Sequence, residues 1–425
     1  ILKIKQTYYF QGGCMINRSL VSAFLFALMP LSAFATNGSA LIGTSSKTRA
    51  LGGTGIAYYA PDSALKNPAQ IVGAKGFDFT FAGTYFAPDV SAKSALSGST
   101  SQDSDADVFL IPSIGFNTKI TDQLYFALGA FGTGGQGVDY KSSKTSDNLS
   151  RIRTSISYMK FAPSLAWDGG DWSIGGAVNV LYGTASIAFN GASDAESTSA
   201  ADYQGGGSSD DIGVGFSLGA SYTFMDMLTV AGFYQSAIDQ SYDKVMTGIL
   251  ADFLVSSVTT DELETPTEWG IGFAWDWNNW MFTFDYKNID WEGSANWSKF
   301  GWESQDVFAL GIEYVWGAHT FRTGYSMADS PLQTNALTGS AGSTDGNGSE
   351  SIHFLNTVGF PAIVENHLTF GYGHQFSERF GLDSALVFAL EEDATGNQSD
   401  GAGGKSTVTS THSQTSFSIG GNWSF

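Results

Sequence analysis

From about residue 76 onward, large apolar residues alternate with small or polar ones at a period of two. Phe77, Phe79, Phe81, Gly83 and Tyr85 alternate with Asp78, Thr80, Ala82 and Thr84. Trp269, Ile271, Phe273, Trp275 and Trp277 alternate with Glu268, Gly270, Gly272, Ala274 and Asp276. Trp280, Phe282, Phe284 and Tyr286 do so against Met281, Thr283, Asp285 and Lys287, and Phe308, Leu310, Ile312, Tyr314 and Trp316 against Ala309, Gly311 and Glu313. A period of two puts each parity on one face of a strand. One face is dominated by aromatics, the other by Gly, Ala, Thr and scattered charge. The pattern predicts about fourteen strands, near 77–89, 107–118, 123–137, 152–167, 172–189, 210–224, 227–243, 267–277, 280–291, 305–316, 319–328, 366–376, 380–391 and 412–425.

The connections alternate in length. "KITD" (119–122), "DGGD" (168–171), "MD" (225–226), "NN" (278–279), "GA" (317–318) and "SER" (377–379) are tight. Segments 190–209, 244–266 and 329–365 are long and rich in Gly, Ser, Asp and Thr. Short turns on one side and long loops on the other mark an outer-membrane barrel, and an even strand count returns both ends to the periplasm. The expected fold is therefore all-β: a transmembrane antiparallel β-barrel of about 14 strands. The last residues, "SFSIGGNWSF" (416–425), keep the alternation up to Phe425. A closed barrel pairs its last strand with its first and turns outward residues to acyl chains, which suits such an ending. A soluble sandwich needs no aromatic outer face; Trp167, Trp172, Trp280 and Trp316 near strand ends suit interfacial girdles.

Composition agrees. Charged residues make up 14% of the 425-residue chain, against roughly a quarter in typical soluble proteins. Beyond residue 35 no apolar run is long enough to cross a bilayer as a helix. The formal charge of -21 argues against nucleic acid as a partner. Residues 15–35, "MINRSLVSAFLFALMPLSAFA", combine Arg18, an apolar stretch and Ala33-Phe34-Ala35, and read as a signal peptide. Residues 1–14 are expected to lie upstream of the true start. They hold the only cysteine, Cys14, so disulfides are not expected in the mature chain. Residues 36–75, apolar and Gly-rich, precede the first strand of the barrel (76–425) and are expected to fold inward as a plug, or hatch, inside the lumen.

"KNPAQ" (66–70), after that Gly/Ala-rich stretch, resembles the Asn-Pro-Ala hatch motif of the FadL/TodX family of outer-membrane transporters for long-chain fatty acids and other hydrophobic compounds. Three further stretches resemble the family in the right order. They are "FLIPSIGFNTKITDQLYFALGAFGTGGQG" (109–137), "HTFRTGYSMADSPL" (319–332) and "GFPAIVENHLTFGYGHQFSERFGLDSALVFALE" (359–391). The resemblance spans essentially the whole mature chain and makes Asn67, Pro68 and Ala69 the hatch motif. It departs at "QTNALTGSAGSTDGNGSES" (333–351), a low-complexity insertion. It implies energy-independent passage: capture among the outer loops, movement to a luminal pocket, rearrangement of the N-terminal segment, and sideways exit through the wall. The fatty acid is the favoured substrate; aromatic or alkane hydrocarbons by the same route, or a general porin, are the alternatives.

Three sets of residues are candidates for that route. Met246, Ile249, Leu250, Phe253 and Leu254 share a helical face in a long loop, either packing on neighbouring loops or forming an outer groove for an apolar ligand. Gly132, Gly134 and Gly135 lie inside the third strand, where glycine marks a kink or bulge. By resemblance this strand carries the lateral opening; smooth curvature is the other reading. Arg322, Lys160 and Lys287 take the luminal parity, where a cation suits a carboxylate head group. Glu268, Asp276, Asp285, Glu313 and Asp383 share that parity, so structural ion pairs remain open for each cation.

Nothing marks an enzyme. His319, His353, His367, His374 and His412 lie in no catalytic setting, no metal-ligand spacing appears, and "GGTG" (52–55) reads as a hatch turn and not a phosphate loop. No cofactor, metal or catalytic residue is expected. The expected partners are a hydrophobic small molecule, outer-membrane lipid and lipopolysaccharide, and the barrel assembly machinery acting on the strand that ends at Phe425. The expected setting is a monomer in a Gram-negative outer membrane.

Overall fold

The computed structural model describes residues 37–95, 100–140, 149, 152–190, 203–247, 259–332, 353–399 and 405–425. In chain order the strands are β1 (Phe77–Ser94), β2 (Ser101–Asp103), β3 (Phe109–Lys119), β4 (Leu124–Asp139), β5 (Arg153–Phe161), β6 (Ser164–Asp168), β7 (Trp172–Asn190) and β8 (Tyr203–Phe224). They continue as β9 (Leu228–Gln235), β10 (Thr267–Trp277), β11 (Trp280–Asp290), β12 (Gln305–Trp316), β13 (His319–Ala328), β14 (Asn366–Ser377), β15 (Phe380–Ser399) and β16 (Lys405–Ser424). Every pairing between them is antiparallel. The sheet closes on itself through β16 and β1. Two segments do not add to the wall count. β2 pairs only with β1, and β5 and β6 are halves of one strand, both lying between β4 and β7. Among the described residues the wall is therefore a closed barrel of 14 strands.

Phe425 belongs to the closing seam. Its N–H donates to the Phe77 carbonyl at 2.9 Å and its carbonyl accepts from the Phe77 N–H at 3.1 Å. Alternation up to the last residue thus serves closure, since an unpaired edge in hydrocarbon leaves backbone groups unsatisfied. The outward parity is exposed all round the wall, as at Phe81, Leu110, Val214, Phe273 and Phe370, and Trp167, Trp172, Trp280 and Trp316 are exposed beside the tight turns.

The strand bounds differ from the expected ones mainly on the long-loop side. β1, β15 and β16 run past the expected ends, and β8 begins earlier, at Tyr203. Their extra residues are Ser-, Thr- and Gly-rich, without the alternation that lipid imposes. β9 stops at Gln235 because the chain then turns inward, burying Ile238, Tyr242 and Val245. The expected strand 152–167 is broken at Ala162-Pro163, since proline has no N–H for the ladder.

Residues 37–76 fold inside the barrel. Ser45 caps the helical turn Ser46–Ala50. The buried Asp62 carboxylate accepts from the Thr44 and Ser45 N–H groups and from the hydroxyls of Thr44, Ser45 and Thr48. Asn67 caps the 3-10 turn Pro68–Gly73 by accepting from the Ala69 N–H at 3.0 Å, and donates to the Ile56 carbonyl at 2.8 Å. Inward glycines let this hatch meet the wall backbone. A Cβ at Gly219 would lie 1.8 Å from Asn67 Oδ1, and one at Gly324 2.2 Å from the Gly52 nitrogen.

Candidate ligand passage and wall opening

The wall is interrupted beside β4. The β3–β4 ladder runs from Lys119↔Tyr125 to Ser113↔Phe131 and stops, although β3 continues back to Phe109 and β4 on to Asp139. From Phe109 to Pro112, β3 pairs only with β1. On its other side, β4 slips register against β5 between Gly132 and Gly134. Extra residues in one strand bend it locally, and glycine permits the close approach that follows. A Cβ at Gly132 would lie 2.5 Å from Ile111 Cγ2 of β3, so this position faces the interruption.

The N-terminal segment replaces part of the lost partner. Leu41 N–H donates to the Thr133 carbonyl at 3.1 Å, and Gly135 N–H donates to the Ser39 carbonyl at 2.9 Å. Ala40 and Gly134 form an antiparallel bridge. A Cβ on Gly134 would lie 2.3 Å from the Ser39 oxygen, so this glycine admits the segment. Gly132, Gly134 and Gly135 thus sit together at the bend.

Behind the bend lies a chamber of about 80 Å³, lined among others by Leu41, Ile42, Lys66, Lys160, Glu268 and Lys287. A smaller one of about 50 Å³ adjoins it through Ala40, Thr133 and Lys160 and reaches Trp291. Most charges here have partners. Lys287 Nζ is 2.8 Å from Glu268 Oε2, and Asp285 accepts from the Gly55 and Ile56 N–H groups at 2.7 and 3.1 Å. Lys66 donates to the Ile42 and Gly53 carbonyls at 3.0 and 3.1 Å. Burial, and then the nearby Lys287, lowers the Lys66 ammonium from its usual value. Lys160 is buried and donates to neutral Gln235 Oε1 at 2.8 Å; among the described residues it has no carboxylate within ion-pair distance.

Arg322 lies elsewhere in the lumen. It bridges Glu313 at 2.6 Å and Asp383 at 2.5 Å, and Asn422 donates to the same Asp383. The three sequence-predicted cations are therefore not one cluster: Lys160 and Lys287 line the chamber, whereas Arg322 is engaged by two wall carboxylates.

On the loop side of the chamber the described residues form an apolar cap. Trp291, Trp297 and Trp302 pack with centroids 5.2, 4.9 and 4.3 Å apart, all buried. Met246 joins this cluster; Ile249, Leu250, Phe253 and Leu254 lie outside the described residues, as does all of 333–351. Trp291 touches the N-terminal segment: at Gly38, where φ is +65°, a Cβ would lie 2.7 Å from Trp291 Cζ2. Cap, segment and wall bend are thus in continuous contact. Sequence reasoning passed over these tryptophans and Gln235. "WEGSANWSKFGW" (291–302), three tryptophans in a polar loop, carried the signal.

A closed membrane-type barrel with residues 37–76 folded in its lumen, and an internal chamber beside a wall interruption, defines a transport protein of the outer-membrane class. The chain belongs to the OMPP1/FadL/TodX family of outer membrane transport proteins, whose sequence profile matches residues 28–347. Its members are transporters and not enzymes. The fold is similar to that of the Pseudomonas putida toluene transporter TodX, at 16% identity and a TM-score of 0.64, covering 91% of this chain and 99% of that one. A Pseudomonas aeruginosa FadL homologue gives 14% and 0.67 over 91% and 100%, and the Ralstonia pickettii toluene transporter TbuX 16% and 0.62 over 91% and 99%. No curated protein matches the sequence.

Proposed function

We propose that this protein mediates passive uptake of hydrophobic molecules, with long-chain fatty acids as the favoured substrate, and releases them sideways between β3 and β4. The observation that carries this reading is the ladder that stops at Ser113↔Phe131 beside a chamber, where residues 39–41 supply part of the missing backbone pairing. Sideways release is favoured by solvation. Moving an apolar chain into water costs about 0.8 kcal/mol per CH₂, on the order of ten kcal/mol for a sixteen-carbon tail. Exit into the bilayer keeps that tail in hydrocarbon. The porin alternative fits poorly with a lumen occupied by residues 37–76.

Lys160 supports the acid head group. It is a buried cation whose direct partner is neutral, at the junction of both chambers, so a ligand carboxylate adds the direct ion pair that Glu268, already paired with Lys287, does not make. On the same reading residues 15–35 direct export, and the assembly machinery inserts the barrel through the strand ending at Phe425. The protein then works as a monomer among phospholipid and lipopolysaccharide of a Gram-negative outer membrane. The test compares palmitate and toluene binding to the purified protein and to Lys160→Gln. A hydrogen bond to a charged group contributes about 1.5–3 kcal/mol, so palmitate should bind roughly 10- to 150-fold more weakly to the variant, with toluene unaffected. Binding of toluene but not palmitate by the native protein would overturn the fatty-acid assignment in favour of hydrocarbon uptake.

A further inference from the structure

His319 opens β13, and His374 lies directly opposite it on β14. Both take the outward parity, beside the tight turn Gly317-Ala318. Their Nδ1 atoms are 3.4 Å apart and their ring centroids 4.8 Å. The Tyr372 hydroxyl lies 2.8 Å from His319 Nδ1. Both imidazoles are half-buried, with Trp316 and Phe376 packed beside them. An aromatic girdle needs rings with an apolar body and a polar tip; it does not need two imidazoles converging through the same nitrogen. That convergence has a geometric meaning. Two nitrogens, each about 2.0–2.1 Å from a tetrahedral ion, stand about 3.3–3.4 Å apart.

We infer that His319 and His374 bind one divalent transition-metal ion through their Nδ1 atoms, with the Tyr372 hydroxyl adjacent and water completing the coordination. The separation fits tetrahedral Zn²⁺ directly; Cu²⁺ binds imidazole more tightly but prefers tetragonal geometry, which asks the two nitrogens to close by a few tenths of an ångström, and imidazole does not suit Mg²⁺ or Ca²⁺. Among the described residues no group of three or more His, Cys, Asp or Glu side chains is placed to hold a metal, so this is a two-histidine chelate and not a closed structural centre. The site lies at the rim where the tight turns meet water, so an ion reaches it without crossing hydrocarbon. Once bound it ties β13 to β14 on the face away from the lumen, independently of the transport route.

The test uses the full-length barrel in detergent and Cu²⁺ alone as probe. Titration with electron paramagnetic resonance should show one ion per barrel with hyperfine coupling to two imidazole nitrogens, reversed by a chelator. His319→Ala and His374→Ala should each weaken binding at least tenfold and reduce the coupling to one nitrogen. Both side chains are on the outer rim, and heat-modifiable gel migration confirms that the variants remain folded barrels. Native-like Cu²⁺ binding by the folded double variant, or a native spectrum without two-nitrogen coupling, would overturn the assignment.

Discussion

Gly134→Ala is the sharpest test of how the wall opening is controlled. The new Cβ would lie 2.3 Å from the Ser39 carbonyl oxygen, well inside van der Waals contact, so residues 39–41 must move away from β4. Two backbone hydrogen bonds go with them, Leu41 N–H to Thr133 and Gly135 N–H to Ser39. Each is worth about 0.5–1.5 kcal/mol net, or about 1–3 kcal/mol together. The detached population of the segment should then rise about 5- to 150-fold. The measurement is thiol labelling of Ser39→Cys in the mature chain by a small aqueous maleimide. Ser39 is buried, so labelling requires detachment and its rate reports the open population. Gly83→Ala is the control, because a Cβ there meets nothing within 4 Å. A labelling rate unchanged by Gly134→Ala, or raised equally by Gly83→Ala, would refute the idea that this segment is the detachable partner of β4.

Three further outcomes are expected. Gly132→Val places bulk against Ile111 and should abolish uptake of a hydrophobic substrate while the barrel still folds; normal uptake by the folded variant argues against exit between β3 and β4. Deleting residues 36–75 should produce large conductance in planar bilayers, and a closed channel would show that something other than the hatch blocks the lumen. Arg322→Ala leaves Glu313 and Asp383 without their counter-charge and should destabilise the barrel by about 3–5 kcal/mol, read as a lower melting temperature with palmitate affinity retained. Lost affinity at unchanged stability would instead make Arg322 a ligand residue.

Much of the fold was legible because lipid imposes a simple rule on sequence. A wall with acyl chains outside and a packed lumen inside writes its register as strict alternation, and the tight turns show where strands reverse. Fourteen wall strands and the aromatic outer face follow from that rule, whereas the inward hatch was read from the apolar, Gly-rich content of residues 36–75 and their KNPAQ motif. It says nothing where lipid is absent. The polar extensions of β15 (392–399) and the Ser/Thr run of β16 (405–411) form strands without an apolar alternation, and the break at Ala162-Pro163 was hidden inside a continuous-looking segment.

The site shows the same division. Local chemistry made Gly132, Gly134 and Gly135 conspicuous and put Lys160, Lys287 and Arg322 on the inner parity. Parity fixes which face a side chain takes, but not which residues across the lumen it meets. Arg322 meets Glu313 directly across the Gly317-Ala318 hairpin and Asp383 two strands further on, whereas only the curvature of the wall brings Lys160 of β5 to Gln235 of β9. Likewise, residues 39–41 bear no mark of strand pairing in their own sequence. They pair because β3 parts from β4 and leaves backbone groups open, and the hatch carries the N-terminal segment to that place. Alternation is a property of neighbouring residues and can be read along the chain; the opening and its partner join residues about ninety positions apart, and exist only once the wall has closed around the hatch.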